Sequence, residues 1–273
     1  MTDRIRPVRS ALFVPGSKPE RFDKALATGA DRVIVDFEDA VEEALKAEAR
    51  NHLENYLASR PQTQVVVRVN AVDHPQHQAD VAFCKATPGV CAVMLPKVES
   101  SEQLRSLQSL QKPLWPLIES AQGILIMTEL ARVSRVERLT FGALDLGVDL
   151  GITIGSNAAN KVLDNVRYSL ILASVSAGLA KPLDTVFADI SDLQGLQQMA
   201  RDGRNMGFGG MLCIHPTQVA AVELIYAPSE AEIEWARKVL AAAAMKTAGA
   251  FRLEGRMVDA PVILQAKRLI AEL

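Results

Sequence analysis

The chain has 273 residues, with 30 Lys and Arg against 32 Asp and Glu, so its formal net charge is −2. This balance argues against broad attraction to nucleic acid or to an anionic membrane surface. Apolar residues make up 49% of the chain, which is ample material for a packed core. We therefore expect a globular protein with one large domain or two ordinary ones.

No segment has the features of a targeting signal or a membrane span. The first apolar run, residues 11–14, is too short for the core of a signal peptide, and the longest uncharged stretch, residues 205–222, contains several polar residues. The three cysteines, Cys84, Cys91 and Cys213, fit no zinc-binding spacing. We expect free thiols in a reducing compartment and hence a cytoplasmic protein without membrane or nucleic-acid partners.

Short runs rich in Val, Ile and Leu alternate with longer amphipathic segments along the chain. Such runs are typical of buried strands. The predicted strands cover residues 10–14, 32–36, 65–69, 92–95, 114–118, 139–141, 185–187 (with a possible earlier start) and 211–214.

The segments between these runs have the features of helices. Apolar side chains recur at every fourth position from Val41 to Leu57, which is the pattern of an amphipathic helix. A serine followed three residues later by Glu or Gln predicts a capping box at three helix starts. These pairs are Ser17 with Glu20, Ser100 with Gln103, and Ser229 with Glu232.

The alternation of strand and helix predicts an α/β fold with a parallel sheet covered by helices. Eight units in about 225 residues match a (β/α)8 TIM barrel, and the doubly wound alternative usually carries a glycine fingerprint that is missing here. Polar residues follow nearly every predicted strand, which suits a barrel whose strand ends meet at one rim. We predict a barrel over residues 1–227.

A C-terminal helical extension is predicted over residues 228–273. It consists of an Ala-rich helix over 229–246, a Gly-containing segment over 247–255, and a last helix that starts near Pro261. Such an extension can pack on its own barrel or on a neighbouring subunit, and periodicity does not decide between the two.

Nine short motifs occur in the order found in one enzyme family. With them the chain resembles the citrate lyase beta-subunit-like branch of the HpcH/HpaI aldolase family, which includes malyl-CoA and citramalyl-CoA lyases. The motifs are residues 9–16 (RSALFVPG), 35–41 (VDFEDAV), 67–70 (VRVN), 95–100 (LPKVES), 116–120 (PLIES), 141–145 (FGALD), 207–210 (GFGG), 214–218 (IHPTQ) and 257–261 (MVDAP).

This resemblance implies a barrel enzyme that assembles as a homotrimer or a dimer of trimers. It also implies Mg2+-dependent cleavage of a C–C bond in a 3-hydroxyacyl-CoA thioester. The C-terminal extension would then pack on a neighbouring subunit.

Glu119 and Asp145 are the candidate metal ligands. They follow adjacent predicted strands, and oxygen ligands with open water positions suit Mg2+. Spacing alone also allows helix N-caps or ion pairs with arginines. The resemblance implies that both acids bind the metal and that Glu119 contacts the substrate.

Arg68 is the candidate substrate-binding cation. A guanidinium at a strand end can hold a carboxylate or stabilise an enolate, and it can equally form a structural ion pair with Glu38 or Asp39. The resemblance implies that Arg68 binds substrate beside the metal. Glu38 and Asp39 would then assist catalysis by orienting Arg68 and the metal-bound waters.

Asp259 lies far in sequence from the other acids. Before Ala-Pro it most simply reads as the N-cap of the last helix. The resemblance implies instead that it enters the active site of the adjacent subunit and transfers a proton near the α carbon of the thioester.

The residues that hold CoA are less clearly marked. The resemblance places the CoA entrance at Arg9, Phe13, Pro15 and Gly16, where a glycine lets a ligand approach the backbone closely. Lys97 can meet a CoA phosphate or an acid on the rim.

The resulting functional hypothesis is an acyl-CoA lyase. It would cleave the mono-CoA thioester of a 3-hydroxy-dicarboxylic acid to acetyl-CoA and a 2-oxo acid, with (S)-citramalyl-CoA, which gives pyruvate, as the preferred substrate. The alternatives are a malyl-CoA lyase, the beta subunit of a citrate lyase acting on a carrier-bound thioester, a free-acid pyruvate aldolase, and a non-catalytic barrel subunit.

Overall fold

The structure is a computed structural model that describes residues 7–245, 249–271 and 273. It divides into two compact units, a larger one over Val8–Tyr226 and a smaller one that contains Ala227–Leu273. Lys246 and Thr247, where the sequence predicts the end of one helix and the start of the next segment, lie outside the described residues.

The larger unit is built on eight parallel strands that pair in chain order, and the last strand pairs with the first. This closed barrel confirms the predicted (β/α)8 fold and excludes the open doubly wound sheet. The strands are β1 Ser10–Pro15, β2 Arg32–Asp36, β3 Val65–Arg68, β4 Val90–Leu95, β5 Leu114–Ile118, β6 Thr140–Phe141, β7 Leu183–Asp184 and β8 Gly210–Cys213.

Helices follow the strands and cover the outside of the barrel. Short 3-10 turns at Pro19–Arg21, Glu43–Leu45 and Gln108–Leu110 precede or follow them. The helices are α1 Phe22–Leu26, α2 Lys46–Ser59, α3 His77–Ala86, α4 Ser101–Ser106, α5 Ala121–Leu125, α6 Met127–Leu130, α7 Ala143–Asp149, α8 Asn157–Ala177, α9 Leu193–Met206 and α10 Pro216–Tyr226.

Two apolar layers result from the alternation of side chains along each strand. Residues such as Ile34 and Val66 form a compact cluster in the barrel interior, whereas their neighbours Val35 and Val67 pack in the outer layer. The closure of β8 on β1 is tight. A Cβ at Gly210 would lie 2.2 Å from the carbonyl oxygen of Arg9, so only glycine fits there.

The seventh strand differs from its prediction. It covers Leu183–Asp184 rather than residues 185–187. Beyond Asp184 the chain leaves the ladder because side chains take its hydrogen bonds. The N–H of Thr185 donates to Oδ1 of Asp184 at 2.8 Å, and the carbonyl of Phe187 accepts from the side chain of Gln218 at 2.8 Å.

Two of the three predicted capping boxes are confirmed. Ser100 and Ser229 each accept the N–H three residues ahead and are bonded in return by Gln103 and Glu232. The box at Ser17 is wrong. The chain there enters a 3-10 turn after Lys18, with no side-chain cap, because proline at position 19 already fixes the backbone for the first turn.

The smaller unit contains α11 (Glu230–Ala244), an antiparallel pair of strands, β9 (Phe251–Leu253) and β10 (Arg256–Val258), and α12 (Ala260–Ala271). Its own core is small and includes Val239, Val258 and Ala266. Across the described residues of both units, no helix combines the length and apolar character needed to cross a bilayer.

Candidate active site

The arrangement of the rim starts from two side chains that face the barrel interior. Ile34 and Val66 belong to the interior cluster, so Asp36 and Arg68, two residues further along their strands, point the same way. The register pairs these two residues directly. Nε of Arg68 lies 2.7 Å from Oδ1 of Asp36, and Nη2 lies 2.6 Å from Oδ2, so the ion pair is bidentate.

The remaining nitrogen of the guanidinium contacts two further carboxylates. Nη1 of Arg68 lies 3.0 Å from Oε2 of Glu38 and 3.4 Å from Oδ2 of Asp39. The guanidinium also stacks over the ring of Phe13, 5.0 Å from its centroid. Arg68 is therefore held in one orientation on several sides.

Asp36 is the main partner of Arg68, although the sequence pattern pointed to Glu38 and Asp39. These two acids follow β2, whereas Asp36 is the last residue within the strand. The alternation of inward and outward side chains along the strand is the signal that could have found it. Burial opposes ionisation, yet the Arg68 guanidinium holds the pKa of Asp36 below its ordinary value, so the pair stays charged.

Glu119 lies directly after β5 and is held from two directions. Its Oε1 accepts the backbone N–H of Lys97 at 2.7 Å. On the other side, the N–H of Gly142 donates to the carbonyl of Ile118 at 2.9 Å, which brings Gly142 into contact with the carboxylate of Glu119. A Cβ at position 142 would lie 2.6 Å from Oε2 of Glu119, so the glycine makes room for this acid.

Asp145 is an exposed residue in the first turn of α7. Burial, and to a smaller extent the negative charge of Asp145, raises the pKa of Glu119 to about 8. An acid whose pKa is raised by burial and by a second carboxylate gains from a cation bound between the two.

No group of three or more His, Cys, Asp or Glu side chains with metal-binding geometry occurs in the part of the chain that the structure describes. Glu119 and Asp145 are two neighbouring carboxylates at this rim. Mg2+ is commonly bound by one or two carboxylates with waters and substrate in its other positions. The donor set fits that ion.

Lys97 and Lys46 complete the acidic side of the rim. Nζ of Lys97 lies 2.8 Å from Oε1 of Glu38, so its partner here is an acid on the rim. The buried Nζ of Lys46 donates to the carbonyls of Phe37 at 3.1 Å and Glu38 at 3.0 Å, which fixes the turn after β2. Lys46 was not singled out from the sequence. A cleft of about 530 Å³ lies beside these residues.

The four predicted CoA residues are not all brought together. Phe13 and Pro15 belong to the carboxyl half of β1, but Arg9 precedes β1 at the opposite end of the barrel. There its N–H donates to Asp31 at 2.7 Å and Nη1 lies 3.9 Å from Glu223. Arg9 therefore belongs to a structural network at the amino end of the strands.

Gly16 has a structural reason to be glycine. A Cβ at this position would lie 2.8 Å from the ring of Phe37, and the N–H of Gly16 donates to the carbonyl of Asp36 at 2.8 Å. The ring of Phe37 thus fills the side of Gly16 where a Cβ would stand.

Asp259 lies in the smaller unit, immediately before α12. Its Oδ1 accepts the N–H of Val262 at 3.3 Å, as an N-cap does. Oδ2 of Asp259 makes no hydrogen bond to any residue that the structure describes, so one carboxylate oxygen remains for other partners.

The ion pair of Asp36 and Arg68 generates a prediction about stability. Asp36→Asn keeps the shape but removes the buried charge, so we expect a loss of about 3 kcal/mol in the free energy of unfolding, measured in urea. Because the folded-state pKa of Asp36 is depressed, its contribution is present above about pH 4 and is lost as the pH falls further.

The matched control for this change is Asp39→Asn. Asp39 contacts the same guanidinium, but its side chain is 53% exposed. An exposed partner contributes less than about 1 kcal/mol. Equal losses in the two variants would contradict the dominant role of Asp36.

Comparison with known proteins identifies the family of the chain. Residues 9–216 match the model of the HpcH/HpaI aldolase/citrate lyase family. A citrate lyase subunit beta-like protein of Mycobacterium tuberculosis is 40% identical over 261 residues, covering 95% of this chain and 93% of that protein. A (3S)-malyl-CoA thioesterase of Cereibacter sphaeroides is 32% identical over 280 residues, covering 100% of this chain and 96% of that protein.

A solved structure is similar over nearly the whole chain. CitE of M. tuberculosis in complex with magnesium, acetoacetate and coenzyme A has a TM-score of 0.84 and 38% identity, covering 97% of this chain and 98% of that one. The nine motifs, the closed barrel and these matches lead to one conclusion: the chain belongs to the HpcH/HpaI aldolase/citrate lyase family of enzymes.

Proposed function

We propose that the protein is a Mg2+-dependent lyase that cleaves a 3-hydroxy-dicarboxylic mono-CoA thioester into acetyl-CoA and a 2-oxo acid. The observation that carries this proposal is a fixed guanidinium beside a pair of carboxylates at one rim of the barrel. We expect (S)-citramalyl-CoA as substrate and pyruvate as product. Malyl-CoA differs by one methyl group, which corresponds to roughly 1–3 kcal/mol of discrimination.

Magnesium is the metal cofactor of this family, and CitE structures contain it with acetoacetate and with pyruvate. We propose that Glu119 and Asp145 hold the ion here. Bound Mg2+ supplies Lewis acidity, which lowers the pKa of a substrate hydroxyl.

The residues of this chain have separable roles in the proposed reaction. The 3-hydroxyl proton passes to solvent, from which Asp259 takes up the proton that it later delivers. The C3–O bond becomes a carbonyl, the bond between C2 and C3 breaks, and the electron pair of that bond moves into the thioester as an enolate. Arg68, fixed by Asp36, would stabilise the enolate oxygen without changing its own protonation. Asp259 would then give a proton to C2, which completes acetyl-CoA.

We propose that CoA enters over the carboxyl end of β1, beside Phe13, Pro15 and Gly16. The CoA-bound CitE structure supports a CoA ligand for this fold. Arg9 is left out of this set because it pairs with Glu223 at the other end of the strand.

We also propose that Asp259 acts in the site of a neighbouring subunit of a homotrimer or a dimer of trimers. Large exposed apolar side chains support assembly, because α8 presents Tyr168, Leu172 and Val175 at 62%, 51% and 74% exposure. The unpartnered Oδ2 of Asp259 is available for such a role. A cytoplasmic location is supported by the three free thiols.

The central experiment offers purified protein citramalyl-CoA and malyl-CoA separately with Mg2+, and repeats each assay with EDTA. We expect metal-dependent release of acetyl-CoA together with pyruvate or glyoxylate. Release of free CoA with the intact hydroxy acid would instead indicate a thioesterase, as one relative is named. No turnover of either ester would favour a carrier-dependent citrate lyase subunit or a non-catalytic barrel.

The raised pKa of Glu119 predicts a pH-dependent metal affinity. Below about pH 8 the metal-free acid is protonated and must release its proton before it binds Mg2+. The apparent Kd should therefore fall by about tenfold per pH unit from acidic pH up to about pH 8, and level off above it. Calorimetric titration in two buffers of different ionisation enthalpy measures both the Kd and the released proton.

Glu119→Gln is the control for this titration. It should bind Mg2+ weakly and without the pH dependence. A wild-type affinity that stays constant across the same range would contradict the protonated state of Glu119 in the metal-free protein.

Mixed oligomers test the proposed sharing of the site. Asp259→Asn and Glu119→Gln should each be inactive alone. When both are co-expressed, a site that combines Glu119 of one subunit with Asp259 of the next is intact in roughly a quarter of cases, so about that share of activity should return. If Asp259 serves its own subunit, every site contains one defect and co-expression restores nothing.

A further inference from the structure

Lys97 has a backbone conformation that residues other than glycine rarely adopt. Its φ is 51°, in the left-handed region where a residue with a Cβ is disfavoured. Such strain persists when the surroundings enforce it and is common at functional sites. Lys97 follows β4 and lies between Glu38 and Glu119, two acids of the rim.

The left-handed turn lets one residue contact two parts of the site. The backbone N–H of Lys97 donates to Oε1 of Glu119 at 2.7 Å. Its Nζ contacts Oε1 of Glu38 at 2.8 Å, and the other oxygen of Glu38 is paired with Arg68 at 3.0 Å. A continuous chain of contacts thus runs from the metal-binding acid to the fixed guanidinium.

Glu119 has little freedom around this contact. Gly142 lies against Oε2, at a distance where a Cβ would be only 2.6 Å away. With Oε1 bound to the N–H of Lys97, Oε2 is the oxygen that is left for a cation. The main chain of Lys97 therefore selects which oxygen of the carboxylate is available.

We propose that Lys97 is a positioning residue that fixes the Glu119 carboxylate relative to Arg68. Its left-handed main chain orients the metal-binding acid, and its ammonium holds Glu38 against the guanidinium. This role rests on the proposed function. It also means that the ammonium of Lys97 is engaged with Glu38 rather than free to hold a CoA phosphate.

Two substitutions separate the main-chain role from the side-chain role. Lys97→Gly removes the ammonium but keeps the left-handed turn, which glycine adopts easily. Lys97→Val removes the ammonium and also disfavours the turn, because a β-branched residue is strained at positive φ. Lys97→Arg keeps both the charge and the conformational preference.

The first readout is the binding of Mn2+ to metal-free protein, measured by the EPR signal of the free ion. We expect Lys97→Gly to bind Mn2+ as the wild type does or more tightly, and Lys97→Val to bind it about tenfold more weakly. Equal Mn2+ affinities in Lys97→Val and wild type would overturn the main-chain role.

The second readout is steady-state kinetics together with the melting temperature. We expect Lys97→Gly to lower kcat about tenfold with little change in KM, while its melting temperature stays the same or rises as strain is relieved. Lys97→Arg should recover most of kcat. A Lys97→Gly protein with wild-type kcat would overturn the side-chain role even if Lys97→Val fails to fold.

Gln111→Gly is the control for relief of strain, since Gln111 has a φ of 59° at the turn that precedes β5. It should leave Mn2+ binding and kcat unchanged. Failure of the proposed function has a different signature, because wild-type protein would then show no EDTA-sensitive turnover. Metal-dependent wild-type turnover with unaffected Lys97 variants would overturn the inference about Lys97 alone.

Discussion

The burial of one guanidinium determines the arrangement of the candidate active site. Arg68 ends β3 with its side chain toward the barrel interior, where an unpaired charge costs several kcal/mol. Asp36, its register partner on β2, presents the two oxygens that a guanidinium binds bidentately. The pair requires this register of the two strands, because a shift by one residue would turn one side chain to the outer layer. Glu38 then pairs with Nη1 of Arg68, and Lys97 pairs with the other oxygen of Glu38.

The rim carries an excess of negative charge that folding alone does not explain. Among the described residues, three cations lie near five carboxylates of the rim: Asp36, Glu38, Asp39, Glu119 and Asp145. Lys46 donates to main-chain carbonyls, whereas Arg68 and Lys97 pair with the first three acids, so the excess falls on the last two. Burying an acid beside another acid is unfavourable, as the raised pKa of Glu119 reflects. The same pair of acids favours binding of a divalent cation. The pair therefore lowers the stability of the metal-free fold but suits metal-assisted chemistry.

The apolar pattern of the sequence predicted the barrel well, because strands and helices alternate with clear periodicity. Eight consecutive strand–helix units can be arranged in only a few topologies. It predicted the site less completely. Asp36 was missed because it belongs to the strand rather than to the turn after it. The bounds of the seventh strand were wrong because the side chains of Asp184 and Gln218 take main-chain hydrogen bonds that a longer strand would use. The conformation of Lys97 has no signal in a single sequence, since non-glycine residues enter the left-handed region only where tertiary contacts enforce it. Pairings between distant residues, such as Glu119 with Gly142, likewise depend on closure of the barrel.

The geometry also bears on why related chains carry names for both C–C cleavage and thioester hydrolysis. Both reactions place negative charge on the thioester oxygen, and a guanidinium fixed like that of Arg68 stabilises either one. Hydrolysis additionally needs a water at the thioester carbonyl, whereas C–C cleavage needs a metal at the far hydroxyl and a proton donor at C2. In the proposed reaction, Glu119 and Asp145 would hold the metal and Asp259 would supply the proton. In this chain Lys97 links the two halves of that machinery, because its N–H bonds Glu119 and its ammonium bonds Glu38, the acid paired with Arg68.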